Sequence, residues 1–282
     1  MSILGDIGLL FARQWIAGVD EADAIRAALK VNSKNEQVIL NYLGENFSEK
    51  GQARRSVMIY LNLLRQMKIN RIRGSISVKP SQLGILISDA EFYRNLSRIA
   101  SHAYGLGFDV WIDAEEYEYV DRSLGVFLRA LKRHKNIGMA VQCKLRRSMD
   151  DAMGIAAKGG MVRLVKGAYK EPAAASFEDD DSIRQNYIEV MKTLVSKRAK
   201  VMVATHDASI IEEAIELGKR RKQKIKFAML MGIRSRLAQK LADGGNEVHI
   251  YAPFGEEWFD YSMRRIKEEG HAILLLRSII QQ

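Results

Sequence analysis

Short apolar runs recur along the chain, separated by longer stretches with helical periodicity. The runs span 37–43, 74–78, 108–112, 137–141, 161–165, 201–204, 225–230 and 247–251. They are rich in aliphatic and β-branched residues and nearly continuous in hydrophobicity, as expected of parallel strands buried on both faces. Segments 89–104, 118–133, 181–198, 209–219 and 235–241 repeat apolar residues at helical spacing. Eight strands alternating with helices, without a break in composition, predict a closed (β/α)8 TIM-type barrel of the α/β class rather than an open sheet. Residues 1–35 read as an N-terminal helical extension and 36–282 as the barrel domain. In the extension, Leu9, Leu10, Ala12, Trp15 and Ile16 form an amphipathic face expected to pack on the barrel.

Beyond the last strand, a Pro253–Gly255 turn leads into a helix opened by Glu256 and Glu257. Tyr261, Arg264, Arg265 and Glu268 share one face at i, i+3, i+4, i+7 spacing, and Phe259, Met263 and Ile266 share another. The apolar face is expected to dock the helix, leaving two adjacent guanidiniums aimed at one place. Paired forks of that kind suit a carboxylate or phosphate. Taken alone, an Arg-Arg pair reads as a solvated basic stripe.

Composition narrows the classes. The chain has 282 residues, 47% of them hydrophobic, and three prolines, which fits one large domain without disordered linkers. Cys143 is the sole cysteine, so no disulfide framework or multi-cysteine metal site is expected, and a cytoplasmic setting fits. No apolar run reaches transmembrane length, and the N-terminus lacks the features of a signal peptide. The net charge of +10 points to an anionic partner. Much of it sits in 197–200 and 219–224, at predicted helix ends, where cations suit the helix dipole and read as solvated surface. Without interleaved aromatics these clusters do not form a nucleic-acid platform. The chain has no G-x-G-x-x-G after a strand, P-loop, H-E-x-x-H or C-x-x-C.

Chemistry gathers at the predicted strand ends, where active sites of such barrels form. Strand one ends in Asn41-Tyr42-Leu43-Gly44-Glu45, strand two in Ser77-Val78-Lys79-Pro80 and strand three in Ile112-Asp113-Ala114-Glu115-Glu116. Strand four delivers Gln142, strand five Arg163-Leu164-Val165-Lys166-Gly167-Ala168-Tyr169, strand six Ala204-Thr205-His206-Asp207 and strand eight Tyr251. Each residue alone has an ordinary structural explanation; Asp207, for instance, precedes a helix and suits its N-cap. Together they recur at one end of successive strands, which a random surface does not require. Lys79 and Arg163 suit an electron-rich anionic centre, and Gly167 and Ala168 permit close backbone approach to a flat ring or pyrophosphate. No nucleophile–base pair stands out, which favours cofactor-based redox chemistry over hydrolysis.

These phrases, in this order, resemble the proline dehydrogenase family of flavin-dependent barrel enzymes, over roughly 37–268. Arg-Leu-Val-Lys-Gly-Ala-Tyr and the terminal Arg-Arg helix are its most specific parts. The resemblance implies FAD as cofactor and oxidation of L-proline to 1-pyrroline-5-carboxylate, with hydride transfer to flavin N5. It implies that Arg264 and Arg265 bind the proline carboxylate with Lys79 beside it, that Tyr251 and Tyr261 shape the pocket, and that Glu45 pairs with Arg264 as a lid. Asp113 would anchor the hydrogen-bond network, Arg163 lie near the reactive flavin nitrogen and Gln142 at the isoalloxazine edge. Ala114, Lys166, Gly167, Ala168, Thr205, His206 and Glu268 would contact the rest of FAD. Electrons would pass to a quinone or another acceptor, and the positive charge suits peripheral contact with the inner face of the membrane. The length leaves no room for a fused aldehyde dehydrogenase domain, so a separate 1-pyrroline-5-carboxylate dehydrogenase is expected. The chain departs from the family pattern at Asn41, Pro80 and strand seven, where Lys226, Ala228 and Met231 put flavin-edge packing in question. Two other classes stay open: a Schiff-base lyase or aldolase using Lys79 or Lys166, and a non-catalytic basic binding protein.

Overall fold

In the computed structural model, which describes residue 12 and residues 14–267, the alternation closes on itself. Strands β1 (Gln37–Tyr42), β2 (Gly74–Val78), β3 (Asp109–Ile112), β4 (Ile137–Gln142), β5 (Met161–Val165), β6 (Lys200–Ala204), β7 (Lys226–Leu230) and β8 (Glu247–Phe254) pair in chain order, and β8 returns to β1. Every pairing is parallel. The expected (β/α)8 barrel is therefore present. Strand β8 runs three residues past its predicted end and carries Pro253 opposite Asn41. The carbonyl of Pro253 accepts from the amide of Ala17 at 2.7 Å.

The helices are α1 (Glu21–Asn32), α2 (Lys50–Ile69), α3 (Asp89–Leu106), α4 (Tyr117–Leu131), α5 (Ser148–Ala157), α6 (Asp180–Ser196), α7 (Ala208–Arg221), α8 (Ser235–Asp243) and α9 (Trp258–Lys267). Their starts follow local chemistry. Asp20, Ser88, Asp179 and Asp207 each turn a side-chain oxygen onto an amide of the first turn. Asp207 thus caps α7, as its position suggests. Helix α3 ends at Gly107, whose φ of +85° is the left-handed conformation that glycine adopts without strain.

Strand parity divides the core in two. Val38, Leu40, Ile76, Val78, Val110 and Ile112 point outward and pack with helix residues such as Leu64, Phe92 and Leu96. Ile39, Trp111, Met202 and Ala228 point inward and fill the barrel with Met161, Ala204 and Tyr251. The indole of Trp111 occupies space that its β4 partner vacates: a Cβ on Gly138 would lie 2.5 Å from the ring. Helix α1 buries Ala24, Ile25, Ala28 and Val31 in the outer core and packs on β1 and β8, at the seam where the barrel closes.

Helix α9 leaves that ring and docks near the C-terminal strand ends. Tyr261 packs with Ala12, Trp15, Ile16, Leu43 and Ile233, and the Trp15 indole N–H donates to Ser262 Oγ at 2.9 Å. The docking face is therefore Trp258, Tyr261 and Ser262. Of the expected face, Phe259 is 58% and Met263 37% exposed, and the Ile266 side chain lies outside the described residues. Spacing groups residues into faces, but the shape beneath selects among them, and here a Trp15-lined surface accepts an amphipathic tyrosine and a small hydroxyl. Among the described residues no helix is long and apolar enough to cross a membrane.

Of the departures in strand seven, Lys226 and Ala228 sit away from the strand C-terminus, whereas Met231 directly follows it and donates its amide to the Tyr251 carbonyl at 2.9 Å. Lys226 opens β7 at the opposite end of the barrel and pairs with Glu247 at 2.8 Å. Glu247 also bonds His249 at 2.9 Å and accepts from Gln37 at 3.2 Å. The bond with His249, helped by Lys226 against the cost of burial, holds the Glu247 carboxyl down at about 2. Ala228 belongs to the inner core, and Met231 packs on the outer one.

Gly138→Ala should lower stability by about 1–3 kcal/mol through overpacking against Trp111. The check is a reduced urea midpoint at unchanged slope; an unaltered midpoint would show that the indole has room to move.

Candidate active site

The strand ends converge on one buried ion pair. From the end of β3, Asp113 accepts from the guanidinium of Arg163 in mid-β5. The same carboxylate accepts from Ser77 Oγ of β2 at 2.7 Å and from the Tyr251 hydroxyl of β8 at 2.8 Å. Four strands thus meet on two oxygens. Arg163 is 3% exposed and lies 5.4 Å from the Trp111 ring and 5.8 Å from that of Tyr251, cation–π distances on two sides. Its Nη2 donates to Asp113 and Ser77, whereas Nη1 is buried without a partner. Burial first, and then the charge of Asp113, push the Tyr251 phenol well above its usual range, so it stays a donor.

A second group lies at the ends of β1 and β2. Lys79 is ion-paired with Glu45, a partner the sequence reading did not assign to either. Ser81, two residues on, donates its amide (2.7 Å) and its hydroxyl (2.6 Å) to the carboxylate of Glu115. Asn41, where an aspartate is usual, donates to the Ser77 carbonyl at 3.0 Å, a bond an ionised carboxylate cannot make. Gln142 donates from Nε2 to the Glu115 carbonyl at 2.9 Å and to Glu171 at 3.4 Å. Asp113, Ala114, Glu115 and Gln142 line one cavity at the ends of β3 and β4.

The third group follows β5 and β6. Lys166 pairs with Asp180 and Asp207, each at 2.8 Å. Burial raises the Asp207 carboxyl, but bonds from Lys166 and Arg184 outweigh it and hold the group at about 2. The Leu230 amide donates to His206 Nε2 at 3.0 Å, so the ring proton of the neutral imidazole sits on Nδ1. Thr205 is buried, and its hydroxyl accepts from the Asp207 amide at 3.1 Å. Gly167 has φ +112°, and a Cβ there would crowd Lys144 and Gln142 at 3.0 and 3.1 Å. Burial, then the charges of Glu45 and Glu115, push the Tyr169 phenol far up, which places this loop beside the second group.

The fold therefore brings Asp113, Arg163 and Tyr251 into direct contact, with Lys79, Glu45 and Gln142 at neighbouring strand ends. Lys166, Thr205 and His206 form a separate set at the ends of β5 and β6. Tyr261 is fixed at the base of α9. The Arg264 and Arg265 side chains, and Glu268 altogether, lie outside the described residues. Sequence reasoning passed over Ser77, Ser81, Trp111 and Glu115. Ser77 and Trp111 carried a signal, each lying two residues before a flagged position and thus on the same strand face.

Comparison with known proteins settles the family. The sequence profile described as Proline dehydrogenase matches residues 24–274. The chain belongs to the proline dehydrogenase family. It is 27% identical over 277 residues to Proline dehydrogenase 1 of Bacillus subtilis subsp. natto, covering 97% of this chain and 92% of that one. It is 28% identical over 268 residues to Proline dehydrogenase of Deinococcus radiodurans, covering 91% and 86%. Proline utilization A of Bdellovibrio bacteriovorus has the same fold, with a TM-score of 0.87 at 20% identity over 97% of this chain. The chain spans 36% of that larger protein. As a proline dehydrogenase, it is an oxidoreductase acting on proline.

Asp113→Ala would strand the Arg163 charge in the barrel and should cost about 3–5 kcal/mol of stability. Chemical denaturation measures it, and a loss below about 1 kcal/mol would mean that Arg163 finds another anion.

Proposed function

We propose that the chain oxidises L-proline to 1-pyrroline-5-carboxylate at the C-terminal mouth of the barrel, with FAD held at the ends of β4, β5 and β6. The observation that supports it most is the buried Arg163, pinned on one side by Asp113 and carrying an unpartnered Nη1. An uncompensated buried donor is costly and calls for an acceptor from outside the chain. A flavin ring offers such acceptors. The bare backbone at Gly167, where any Cβ crowds Gln142, fits close approach of a flat ring, and Lys166, Thr205 and His206 lie beside it for the rest of the cofactor. Bound FAD would supply the two-electron acceptor, at N5, for the departing hydride.

The chain's own residues do the remaining work. Lys79, with Arg264 and Arg265 from α9, neutralises the proline carboxylate and orients the ring. Glu45 holds Lys79 in place and is the counter-charge for Arg264. Tyr251 and Tyr261 wall the pocket, and Asp113 keeps Tyr251 and Arg163 in register. The amine loses its proton, a ring C–H bond adjacent to nitrogen breaks as hydride, and a C=N bond forms. Fixing the donor carbon near attack geometry can remove about 7–11 kcal/mol of entropic barrier at most. The Schiff-base alternative is disfavoured because the amines of Lys79 and Lys166 are both engaged by carboxylates, whereas imine formation needs an amine free to attack. A separate 1-pyrroline-5-carboxylate dehydrogenase would consume the product.

Flavin absorbance of the FAD-reconstituted protein should bleach anaerobically on addition of L-proline, and Arg265→Met should raise the proline KM about tenfold or more with FAD still bound. Absence of flavin after reconstitution sinks the cofactor assignment; unchanged saturation by proline sinks the carboxylate assignment.

We further propose a cytoplasmic enzyme attached peripherally to the inner face of the membrane, a reading that the placement of its charge supports. Arg198, Arg221 and Lys222 are exposed where helix C-termini join strand starts, at the end of the barrel opposite the mouth. Attachment there leaves the mouth open to proline and to a water-borne acceptor, whereas a membrane quinone has to approach from the mouth side. Binding to phosphatidylglycerol vesicles should disappear at high salt and fall several-fold in the Arg221→Glu/Lys222→Glu variant. Equal binding by that variant rejects this orientation.

A further inference from the structure

Glu115 has no role in the reading above, yet it is 4% exposed and fully engaged. Its two carboxylate oxygens take the amide and the hydroxyl of Ser81. Ser81 in turn ties two loops together: its Oγ accepts from the Asn46 amide and its carbonyl from the Phe47 amide, both at 3.1 Å. Asn46 and Phe47 directly follow Glu45, and Ser81 directly follows Lys79-Pro80. The main chain at Asn46 turns through φ +59°, the left-handed region that asparagine tolerates. The carbonyl of Glu115 takes the side chain of Gln142. One buried acid therefore reaches the loop of β1, the loop of β2 and the end of β4.

We propose that Glu115 is a positioning residue for proline oxidation, acting through Ser81 to set the Lys79–Glu45 pair whose lysine receives the substrate carboxylate. It rests on the placement of Lys79 at that carboxylate. The clamp needs an acceptor on both oxygens, so it is complete only when Glu115 is ionised. The groups facing it are Lys79 and Glu45 from the β2 and β1 loops, with Tyr119 of α4 and Tyr169 of the β5 loop sensing its charge. Burial raises its carboxyl, against the pull of Lys79 and the Ser81 bonds, to about 7. Because the folded state holds this proton more tightly than the unfolded chain, ionised Glu115 lowers stability. The penalty grows from its ordinary 4.5 up to about 7 and is constant above.

The test is Glu115→Gln in the FAD-loaded enzyme. At pH 8 the proline KM should rise about fivefold or more with kcat changed less than about twofold and flavin retained. The native KM should climb as pH falls through 7, and that dependence should vanish in the variant. Its melting temperature at pH 8 should equal or exceed the native value. Ser81→Ala should raise KM as well, and the double variant should add little to either change. Unchanged KM, a KM pH profile surviving in Glu115→Gln, additive effects with Ser81→Ala, or a lowered melting temperature with loss of kcat would each overturn the proposal. If Arg265→Met also leaves KM unchanged, the substrate reading itself fails; if only Glu115→Gln does, the fault lies with this inference.

Discussion

The barrel mouth is organised around the ion pair of Asp113 and Arg163. A guanidinium enclosed among parallel strands is tolerable only if its charge is answered at once, and Asp113 answers it while also holding Ser77 and Tyr251. The pair makes β2, β3, β5 and β8 share one electrostatic centre. It also fixes what Arg163 has left to offer, because the spent side of the guanidinium faces Asp113 and the unpartnered side remains for a ligand. Trp111 and Tyr251 flank the same cation and keep water from it. The room for Trp111 comes in turn from Gly138, so an absent side chain on β4 supports a charged one on β5.

Around that centre the charged residues are arranged as pairs rather than as free catalytic groups. Lys79 with Glu45, and Lys166 with Asp207 and Asp180, have little freedom left, which suits binding and orientation better than proton transfer or nucleophilic attack. This agrees with a reaction whose electron transfer is supplied by a cofactor and whose protein contribution is geometry. Glu115 and Ser81 extend the pattern one layer back, converting a buried carboxylate into the fixed separation of two loops.

Helix α9 shows how remote parts of the chain come together near the strand C-termini. Its arginines come from the last described helix, and its seat is made by Trp15, which precedes the first strand by more than twenty residues. Ala12, Trp15 and Ile16 meet α9 because α1 takes the ring position at the seam between β8 and β1, leaving α9 to lie elsewhere. The segment before the first strand thereby seats the last described helix as well as packing on the core.

The strands, their order, the cap at Asp207 and the set of polar residues at the strand ends were legible in the sequence, because parallel strands buried on both faces write a continuous apolar signature and barrels build sites at one end. The family phrases around Arg163 and Lys166 were legible for the same reason, being local in the chain. What the sequence could not decide is which partner each charge takes. The pairing of Glu45 with Lys79 was not foreseen, and Lys226 seemed a disturbance at the flavin edge and is a pair with Glu247 at the far end of the barrel. The docking face of α9 was misassigned for a related reason: Phe259 and Met263 are as apolar as any docking residue, yet the surface built by Trp15 and Leu43 fits Tyr261. Periodicity depends on neighbours a few residues apart and is determined by the sequence alone. Pairing and docking depend on groups up to 247 positions apart, as in Trp15 and Ser262, and are decided only when the barrel closes.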